Sequence, residues 1–326
     1  MMPKRSLKTR FLQLRVITVL FALLFLHAVI TFFSSYGIYN YPHLPADVIE
    51  TQLYKRTVPN LRLDGLKPKC SYAEVLQSTA TVNNWEVQDK LDDFTATGVE
   101  NGAYIPEECN PQFSVAIVVP YRKRQQQLDI FLQYIHKFMR KQNIHYRIYL
   151  VEQQNDGPFN RGFLLNVGAR AAIRDKFPCL ILHDVDLLPL DESNLYACAN
   201  EPRHLSASID KFRFVLPYKT IVGGVLAITA DQFVAVNGFS NRFDGWGGED
   251  DDFSWRLSSH KLEVVRFPRE MSRYTMLRHR QEDRNPKRER IMKENRQRGN
   301  TDGLSTLPFS VGTVSNHRLY TLVAVS

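Results

Sequence analysis

Four consecutive carboxylates, Glu249 to Asp252, have the chemistry that proton transfer requires. They follow a Gly-Trp-Gly-Gly turn at residues 245–248, and aromatic residues flank them at Phe243 and Phe253. A run of like charges is ordinarily a solvated surface. Here the aromatic flanks predict that part of the run lies beside buried rings, where the pKa of a carboxylate can be tuned for acid–base catalysis.

Two other clusters have the chemistry of a site for a nucleotide diphosphate. The guanidinium groups of Arg122 and Arg124 match phosphate oxygens in a bidentate manner. The carboxylates of Asp184 and Asp186 suit a divalent cation that bridges phosphates. Taken alone, the two arginines are also typical of a protein surface, and the two aspartates are typical of an ordinary loop that follows a strand. The sequence contains neither Gly-x-Gly-x-x-Gly nor Gly-x-x-x-x-Gly-Lys-Ser/Thr, which argues against a dinucleotide fold and a P-loop NTPase.

Both clusters directly follow apolar runs that predict buried strands. The run at residues 114–120 is short and continuous, as in a parallel sheet that is covered on both faces, and residues 146–152 and 179–183 are the next two predicted strands. Residues 128–141 and 163–173, which separate the runs, have helical spacing. The order β-α-β-α-β predicts an α/β fold with a parallel, right-handed wound sheet. Because ligands lie beyond the carboxyl ends of such strands, the two clusters should meet there.

The N-terminal region predicts a membrane anchor. Val16 to Phe33 is an uncharged apolar run of a length near the lower limit for crossing a bilayer as a helix. A cleaved signal peptide is the alternative, but it would have a shorter apolar core followed by small residues. Residues 1–15 are basic, which places them in the cytosol by the positive-inside rule. We therefore predict a cytoplasmic tail over 1–15, a transmembrane signal-anchor over 16–35, a stem over 36–107 and a lumenal catalytic domain over 108–326.

Charge and cysteine content agree with a lumenal enzyme. The net charge of +8 is concentrated in the N-terminal tail and in residues 278–298, and no nucleic-acid motif accompanies it, so we predict no nucleic-acid partner. Four cysteines lie beyond the apolar run, an even number that suits disulfides in an oxidising compartment. Four cysteines allow three pairings; proximity in the sequence favours Cys179–Cys198, which leaves Cys70–Cys109.

Six motifs that occur in this order give the chain a resemblance to a known family. The chain resembles the β-1,4-galactosyltransferases (glycosyltransferase family 7) over roughly residues 108–326. The resemblance implies a GT-A-type fold in a type II Golgi membrane protein. The motifs are Val118-Val119-Pro120-Tyr121-Arg122-Lys123-Arg124, residues 159–168, His183-Asp184-Val185-Asp186-Leu187, Gly223-Gly224-Val225, residues 245–252 and Met276-Leu277-Arg278-His279.

The resemblance also implies roles for individual residues. Asp250 matches the catalytic base that takes the proton of the acceptor hydroxyl, and Glu249 is a second carboxylate that faces the sugars. The cofactor is Mn²⁺, whose matching ligands are Asp186, Met276 and His279. The matching contacts to the UDP-sugar donor are Arg122, Arg124, Phe159, Arg161, Asp184, Val185, Lys211, Ile221 and Trp246. The matching acceptor contacts are Tyr218, Glu249, Asp250 and Asp251. The cysteines match the family's two disulfides, Cys70–Cys109 and Cys179–Cys198.

The sequence departs from the galactose-transferring members at Ile221. Those members have a tyrosine at this position, two residues before Gly223, and it crowds the C2 substituent of the sugar. Ile221 resembles instead the invertebrate members that transfer N-acetylgalactosamine (GalNAc), because a smaller apolar residue leaves room for an N-acetyl group. We therefore predict transfer of GalNAc from UDP-GalNAc, with inversion, to the 4-hydroxyl of a terminal β-linked N-acetylglucosamine (GlcNAc) on a glycoprotein or glycolipid. The alternatives are the same reaction with UDP-galactose (UDP-Gal) and a sugar-binding protein without turnover.

Two further departures affect the acceptor side. Asp244 stands where vertebrate members have tryptophan. The resemblance therefore does not determine which group the acceptor sugar should be attached to. Residues 280–301 differ in length from the family's flexible loop, which holds the pocket for the acceptor's N-acetyl group. We expect this loop to close over the substrate, and a solvated basic helix is the alternative. The sequence neither indicates nor excludes a regulatory protein partner.

Overall fold

A computed structural model of the chain describes residues 7–36, 41–82, 97–279, 283–309 and 312–326. The chain divides into two units, residues 1–40 and residues 41–326. The first unit is helix α1 (Leu7–Tyr36), and its stretch Leu12–Phe33 is apolar and long enough to cross a membrane. Residues 1–6 of the predicted basic tail and residues 37–40 and 83–96 of the predicted stem, which include Trp85, lie outside the described residues.

The second unit alternates helices and strands. Its helices are α2 (Ile49–Gln52), α3 (Ala73–Leu76), α4 (Gln125–Arg140), α5 (Arg161–Arg174), α6 (Ala230–Ala235), α7 (Glu249–Ser259) and α8 (Arg288–Arg298). Its strands are β1 (Ala103–Tyr104), β2 (Ser114–Tyr121), β3 (His145–Gln153), β4 (Cys179–His183), β5 (Leu187–Pro189), β6 (Arg203–His204), β7 (Ser208–Ile209), β8 (Val225–Thr229), β9 (Arg273–Met276), β10 (Thr313–Asn316) and β11 (Thr321–Val325).

The main sheet has the order β10-β11-β3-β2-β4-β8-β6, with β1 paired to β3. The three strands and two helices predicted from the apolar runs are confirmed as β2, β3, β4, α4 and α5. Strands β11, β3, β2 and β4 are mutually parallel, whereas β1, β8, β6 and β10 pair in the antiparallel sense. The sheet is therefore parallel at its centre and mixed overall, because the chain beyond β4 returns along β8 in the opposite direction.

The alternation of side chains along β2 explains why the sheet is buried on both faces. Ile117 belongs to a core formed with Phe131 and Ile135 of α4. Its neighbour Val118 belongs to a second core, formed with Leu164 of α5. Successive residues of a strand point to opposite faces, so an uninterrupted apolar run is needed where both faces are covered. Burial on both faces fixes the register and holds the carboxyl ends of β2, β3 and β4 at one edge.

The compact unit begins at Tyr41 and not near Glu108, where the sequence suggested that the globular part starts. Ile49, Leu53 and Tyr72 of the predicted stem are buried in the core that contains α4. The disulfide Cys70–Cys109 ties this segment to the entry of β2, and Cys179–Cys198 is also present, so both predicted disulfides are confirmed. Scattered apolar residues without periodicity gave no indication that the segment packs against the domain.

Candidate active site

All of the predicted donor, acceptor and metal residues line one cavity of about 510 Å³. The cavity lies at the carboxyl edge of the parallel strands, where the clusters that follow β2 and β4 meet. It is also lined by Arg288 of the predicted basic loop and by residues that the sequence did not indicate, among them Ile209, Phe212 and Pro217. No charge pattern or motif sets these last three apart from their neighbours in the sequence.

The start of helix α5 brings Phe159 and Arg161 to the cavity. The side chain of Asn160 caps the helix by accepting a hydrogen bond from the backbone N–H of Phe163 at 2.9 Å. Asn160 thereby fixes the flanking residues Phe159 and Arg161, both of which line the cavity. The guanidinium of Arg122 lies over the ring of Phe159, with its Cζ 5.3 Å from the ring centroid. The strand end and the helix start therefore form one cationic wall.

Arginines and carboxylates alternate across the floor of the cavity. Arg161 Nε donates to Asp184 Oδ1 at 2.6 Å, and its Nη1 lies 3.6 Å from Glu249 Oε1. Arg124 Nη1 donates to Asp186 Oδ2 at 3.1 Å. Burial would raise the pKa of Asp186, but the hydrogen bond with His279 and the charge of Arg124 outweigh it and hold that pKa below its ordinary value. Asp186 is therefore ionised at neutral pH, as a metal ligand must be.

The three predicted metal ligands converge because of the second, smaller sheet, which has the order β5-β9-β7. Asp186 immediately precedes β5, Met276 ends β9, and Leu277 N–H donates to the carbonyl of Asp186 at 2.7 Å. His279 Nε2 then lies 2.7 Å from Asp186 Oδ2. Among the described residues no group of three or more His, Cys, Asp or Glu could hold a metal ion, so a metal here depends on the thioether of Met276 as well.

The four consecutive carboxylates form the first turn of α7, which begins after Gly248. Gly248 has a φ of +99°, a left-handed conformation that L side chains rarely adopt, so glycine is required where the loop turns into the helix. The positive end of the helix dipole stabilises the carboxylates of this turn. Only part of the run faces the cavity, because Asp252 is buried in an ion pair with Arg256 at 2.9 Å. The carboxylates therefore divide into cavity and core groups, as the aromatic flanks suggested.

The carboxylate of Asp250 has a strongly raised pKa. Burial raises its pKa, and the charges of Glu249 and Asp251 raise it further, to about 7. Its Oδ2 abuts Gly223, where an added Cβ would lie only 2.7 Å away. Beside it, Tyr218 Oη donates to Asp251 Oδ1 at 3.0 Å. A carboxylate that titrates near neutrality and is seated against backbone has the properties of a general base.

One carboxylate oxygen of Glu249, Oε2, is buried and accepts no hydrogen bond from any residue that the structure describes. Burial raises the pKa of Glu249 although Arg161 opposes the shift. An unsatisfied buried acceptor is costly, and a hydroxyl of a bound ligand would relieve that cost.

Trp246 stands over the cavity and is bound to the segment that leads into α8. The backbone N–H of Trp246 donates to the carbonyl of Asp283 at 2.9 Å, and the backbone N–H of Asn285 donates to the carbonyl of Trp246 at 3.1 Å. The guanidinium carbons of Arg284 and Arg288 lie 5.8 and 5.9 Å from its ring. Residues 288–298 form a helix in this arrangement, whereas residues 280–282 of the predicted loop lie outside the described residues.

The two positions at which the sequence departs from its relatives have different surroundings. Ile221 lines the cavity and also packs against a small core of Tyr41, Ala207 and Leu216. Asp244 is exposed, and its carboxylate accepts a hydrogen bond from Asn160 at 3.1 Å. It is not among the residues that line the cavity, so it acts on the site only through its neighbours.

The chain is similar to known proteins both in sequence and in structure. A profile of the N-terminal region of glycosyl transferase group 7 matches residues 70–199, and one described as the N-terminal domain of galactosyltransferase matches residues 203–280. The chain is 40% identical to beta-1,4-galactosyltransferase 1 of Mus musculus over 228 residues, 69% of this chain. It is 40% identical to beta-1,4-galactosyltransferase 3 of Bos taurus over 225 residues. The chain spans 57% of the length of each of these relatives.

A solved structure has the same fold. It is that of a mutant of Drosophila β-1,4-galactosyltransferase 7 in complex with manganese, UDP-Gal and xylobiose. The TM-score is 0.58 at 26% sequence identity, and the match covers 65% of this chain and 93% of the other. The GT-A-type fold predicted from the sequence is thereby confirmed.

Proposed function

Because this chain belongs to glycosyl transferase group 7, the family of the β-1,4-galactosyltransferases, we propose that it is an inverting, Mn²⁺-dependent glycosyltransferase. We propose that it moves GalNAc from UDP-GalNAc to the 4-hydroxyl of a terminal β-linked GlcNAc. The observation that carries the proposal is the convergence of the predicted donor, acceptor and metal residues on one cavity. The natural acceptor in this proposal is a glycoprotein or a glycolipid.

The donor's diphosphate fits the cationic side of the cavity. Arg122, Arg124 and Lys211 line it, and their charges would offset those of the phosphates and of the departing UDP. Trp246 would cover the donor from the opposite side, since its ring is exposed above the cavity. The basic residues Arg284 and Arg288 beside the ring would hold it in that position by cation–π attraction.

The donor set of the metal-ligand cluster fits Mn²⁺. Carboxylate and imidazole ligands are common for this ion, and a thioether is an unusual addition that still leaves positions for phosphate oxygens. The atoms Asp186 Oδ2 and His279 Nε2 already meet at 2.7 Å, so little rearrangement is needed for both to face one ion. Asp186, Met276 and His279 would hold Mn²⁺, and the bound ion would supply positive charge to the donor's diphosphate. The complex of manganese and UDP-Gal with the Drosophila relative supports this assignment.

Asp250 would accept the proton of the acceptor hydroxyl as that hydroxyl attacks the anomeric carbon. Its pKa of about 7 lets it be ionised at physiological pH and still bind a proton strongly in the transition state. Glu249 Oε2, which lacks a partner among the described residues, would accept a hydrogen bond from a sugar hydroxyl. Tyr218 and Asp251 would form the adjoining wall for the acceptor. A single displacement of UDP by the hydroxyl inverts the anomeric carbon.

The choice of GalNAc over galactose follows from Ile221. The side chain lines the cavity close to Gly223 and Asp250, where the sugar must lie for the base to reach the acceptor. An isoleucine leaves space for an N-acetyl group that a tyrosine would fill. Transfer of galactose by the same site is the alternative, and it is the activity for which the relatives are named. A sugar-binding protein without turnover is disfavoured because the residues proposed as the base and as the metal ligands all line the cavity.

We propose that the protein is a single-pass type II protein of the Golgi membrane. Helix α1 would cross the membrane over residues 16–35, with residues 1–15 in the cytosol. The two disulfides suit the oxidising lumen, where the rest of the chain would lie.

A side-by-side turnover assay tests the proposal. The full-length protein in detergent is given Mn²⁺, a GlcNAc acceptor and either UDP-GalNAc or UDP-Gal, and UDP release that depends on the acceptor is measured. We expect the larger kcat/KM with UDP-GalNAc and loss of turnover in Asp250→Asn. Dominant turnover of UDP-Gal would contradict the donor assignment, and the absence of turnover with both donors would contradict the proposed activity.

A further inference from the structure

A buried arginine donates hydrogen bonds to the backbone of the loop that carries Ile221. Arg266 is only 3% exposed, and its Nη2 donates to the carbonyl oxygens of Lys219 at 3.0 Å and of Ile221 at 2.9 Å. Both bonds are charge-assisted, and such bonds are stronger than those between neutral groups. Arg266 therefore fixes the backbone on both sides of the position at which Ile221 enters the cavity.

His204 extends the same clamp to Gly223. Arg266 Nε donates to His204 Nδ1 at 3.3 Å, and His204 Nε2 lies 2.9 Å from the carbonyl oxygen of Gly223. A guanidinium can only donate, so Nδ1 accepts and the proton of the neutral ring is on Nε2, from which it is donated to Gly223. Burial and the charge of Arg266 lower the pKa of His204 to about 3, so this arrangement persists at physiological pH. The carbonyls of alternate residues 219, 221 and 223 are thus all held by one pair of side chains.

Tyr41 supports both the clamp and the loop. The guanidinium carbon of Arg266 lies 5.7 Å from the centroid of its ring, and its hydroxyl donates to the carbonyl of Phe267 at 3.2 Å. Three residues later, Leu44 N–H donates to the carbonyl of Arg266 at 2.8 Å. The side chain of Ile221 packs against the small core that Tyr41 forms with Ala207 and Leu216. Removal of the Tyr41 ring would therefore loosen Arg266 and Ile221 together.

None of the three supporting side chains lines the cavity, yet the loop that they hold borders both the sugar and the base. Ile221 faces the cavity, and Gly223 is seated against Asp250 Oδ2. Displacement of Asp250 would slow transfer of every donor equally. Displacement of Ile221 would change the space at the sugar's C2 position, and so it would act differently on GalNAc and on galactose.

We propose that Tyr41, Arg266 and His204 are positioning residues that set the donor preference by fixing the loop from Lys219 to Gly224. The inference rests on the proposed function, because it takes Ile221 as the residue that faces the C2 substituent. It also assigns a part in donor selection to the segment that directly follows the apolar helix.

The test measures the ratio of kcat/KM for UDP-GalNAc to that for UDP-Gal in full-length variants. Arg266→Lys keeps the charge but cannot bridge both carbonyls and His204, and Tyr41→Ala removes the supporting ring. In each variant we expect the ratio to move toward 1 by roughly threefold to tenfold, because the loop and the clamp are in contact. Tyr41→Phe keeps the ring and should stay within about twofold of the wild-type ratio.

Tyr72→Ala is the matched control. Tyr72 lies in the same N-terminal segment, is buried, and donates its hydroxyl to the carbonyl of Asn143, far from the loop in sequence and outside the cavity lining. It should lower the melting temperature and leave the donor ratio unchanged. If Tyr41→Ala does not fold, Arg266→Lys decides the question alone.

The outcomes separate this inference from the proposed function. A shifted ratio in Arg266→Lys supports the inference whichever donor the wild type prefers, whereas the wild-type ratio itself tests the proposed function. An equal loss of kcat/KM for both donors, with the wild-type ratio retained, would overturn the inference and leave only a structural role for these residues.

Discussion

The raised pKa of Asp250 predicts that its replacement stabilises the protein while abolishing transfer. Its pKa rises from the ordinary 3.8 to about 7, so between these pH values the folded protein binds a proton that the unfolded chain has lost. The stability associated with that proton is fully present below pH 3.8 and is lost as the pH rises through 7. A pKa shift of this size lowers the free energy of unfolding by about 4 kcal/mol at pH 8, at 1.36 kcal/mol per pH unit.

Asp250→Asn has no titrating group at this position, so this loss of stability with rising pH should not occur in the variant. We expect it to unfold at a temperature higher than the wild type by roughly 5–10 °C at pH 8 and by much less at pH 5. Thermal unfolding of the ligand-free protein at the two pH values measures the difference. Asp47→Asn, at an exposed carboxylate outside the cavity, is the control and should show the same small effect at both pH values. Equal melting temperatures of Asp250→Asn and the wild type at pH 8 would refute the account of Asp250.

Three other predictions follow from the same site. EDTA should abolish transfer and Mn²⁺ restore it, and His279→Ala should weaken Mn²⁺ binding in calorimetry at least about tenfold; unchanged binding would remove His279 from the ligand set. Ile221→Tyr should raise the preference for UDP-Gal by about tenfold or more in competition assays, because a phenol ring fills the space for the N-acetyl group, and an unchanged preference would contradict that. Arg256→Met should lower the free energy of unfolding by about 3–5 kcal/mol in urea, since it leaves Asp252 buried and unpaired, whereas the exposed Arg174→Met should have little effect.

The centre of the sheet and part of the site are predictable from local sequence. Residues 114–120 form an uninterrupted apolar run because β2 is buried on both faces, and the polar residues after such a run must lie at the ligand-binding edge. Arg122 and Asp186 could therefore be indicated from the residues alone. The antiparallel pairing of β8 with β4 could not be predicted, because the direction of pairing depends on contacts with other parts of the chain.

The proposed metal ligands and the loop clamp show where local sequence is insufficient. Met276 has the composition of an ordinary core residue, and only the pairing of β9 with β5 brings it to Asp186, so it could be assigned only through the family resemblance. Tyr41 donates to Phe267 across a sequence separation of 226 residues. Tyr41 belongs to no periodic segment or motif, and a contact of such sequence separation is determined by the whole fold.

The structure of the reaction product shows directly whether the protein transfers GalNAc with inversion to the 4-hydroxyl of GlcNAc. Proton NMR of the disaccharide formed from UDP-GalNAc and a GlcNAc acceptor gives the configuration at the new anomeric carbon and the position of the linkage. The account predicts a β-configured GalNAc joined to the 4-hydroxyl of GlcNAc, formed with Mn²⁺ and absent with Asp250→Asn. An α-configured product, a linkage at another hydroxyl, or release of UDP without any disaccharide would contradict it.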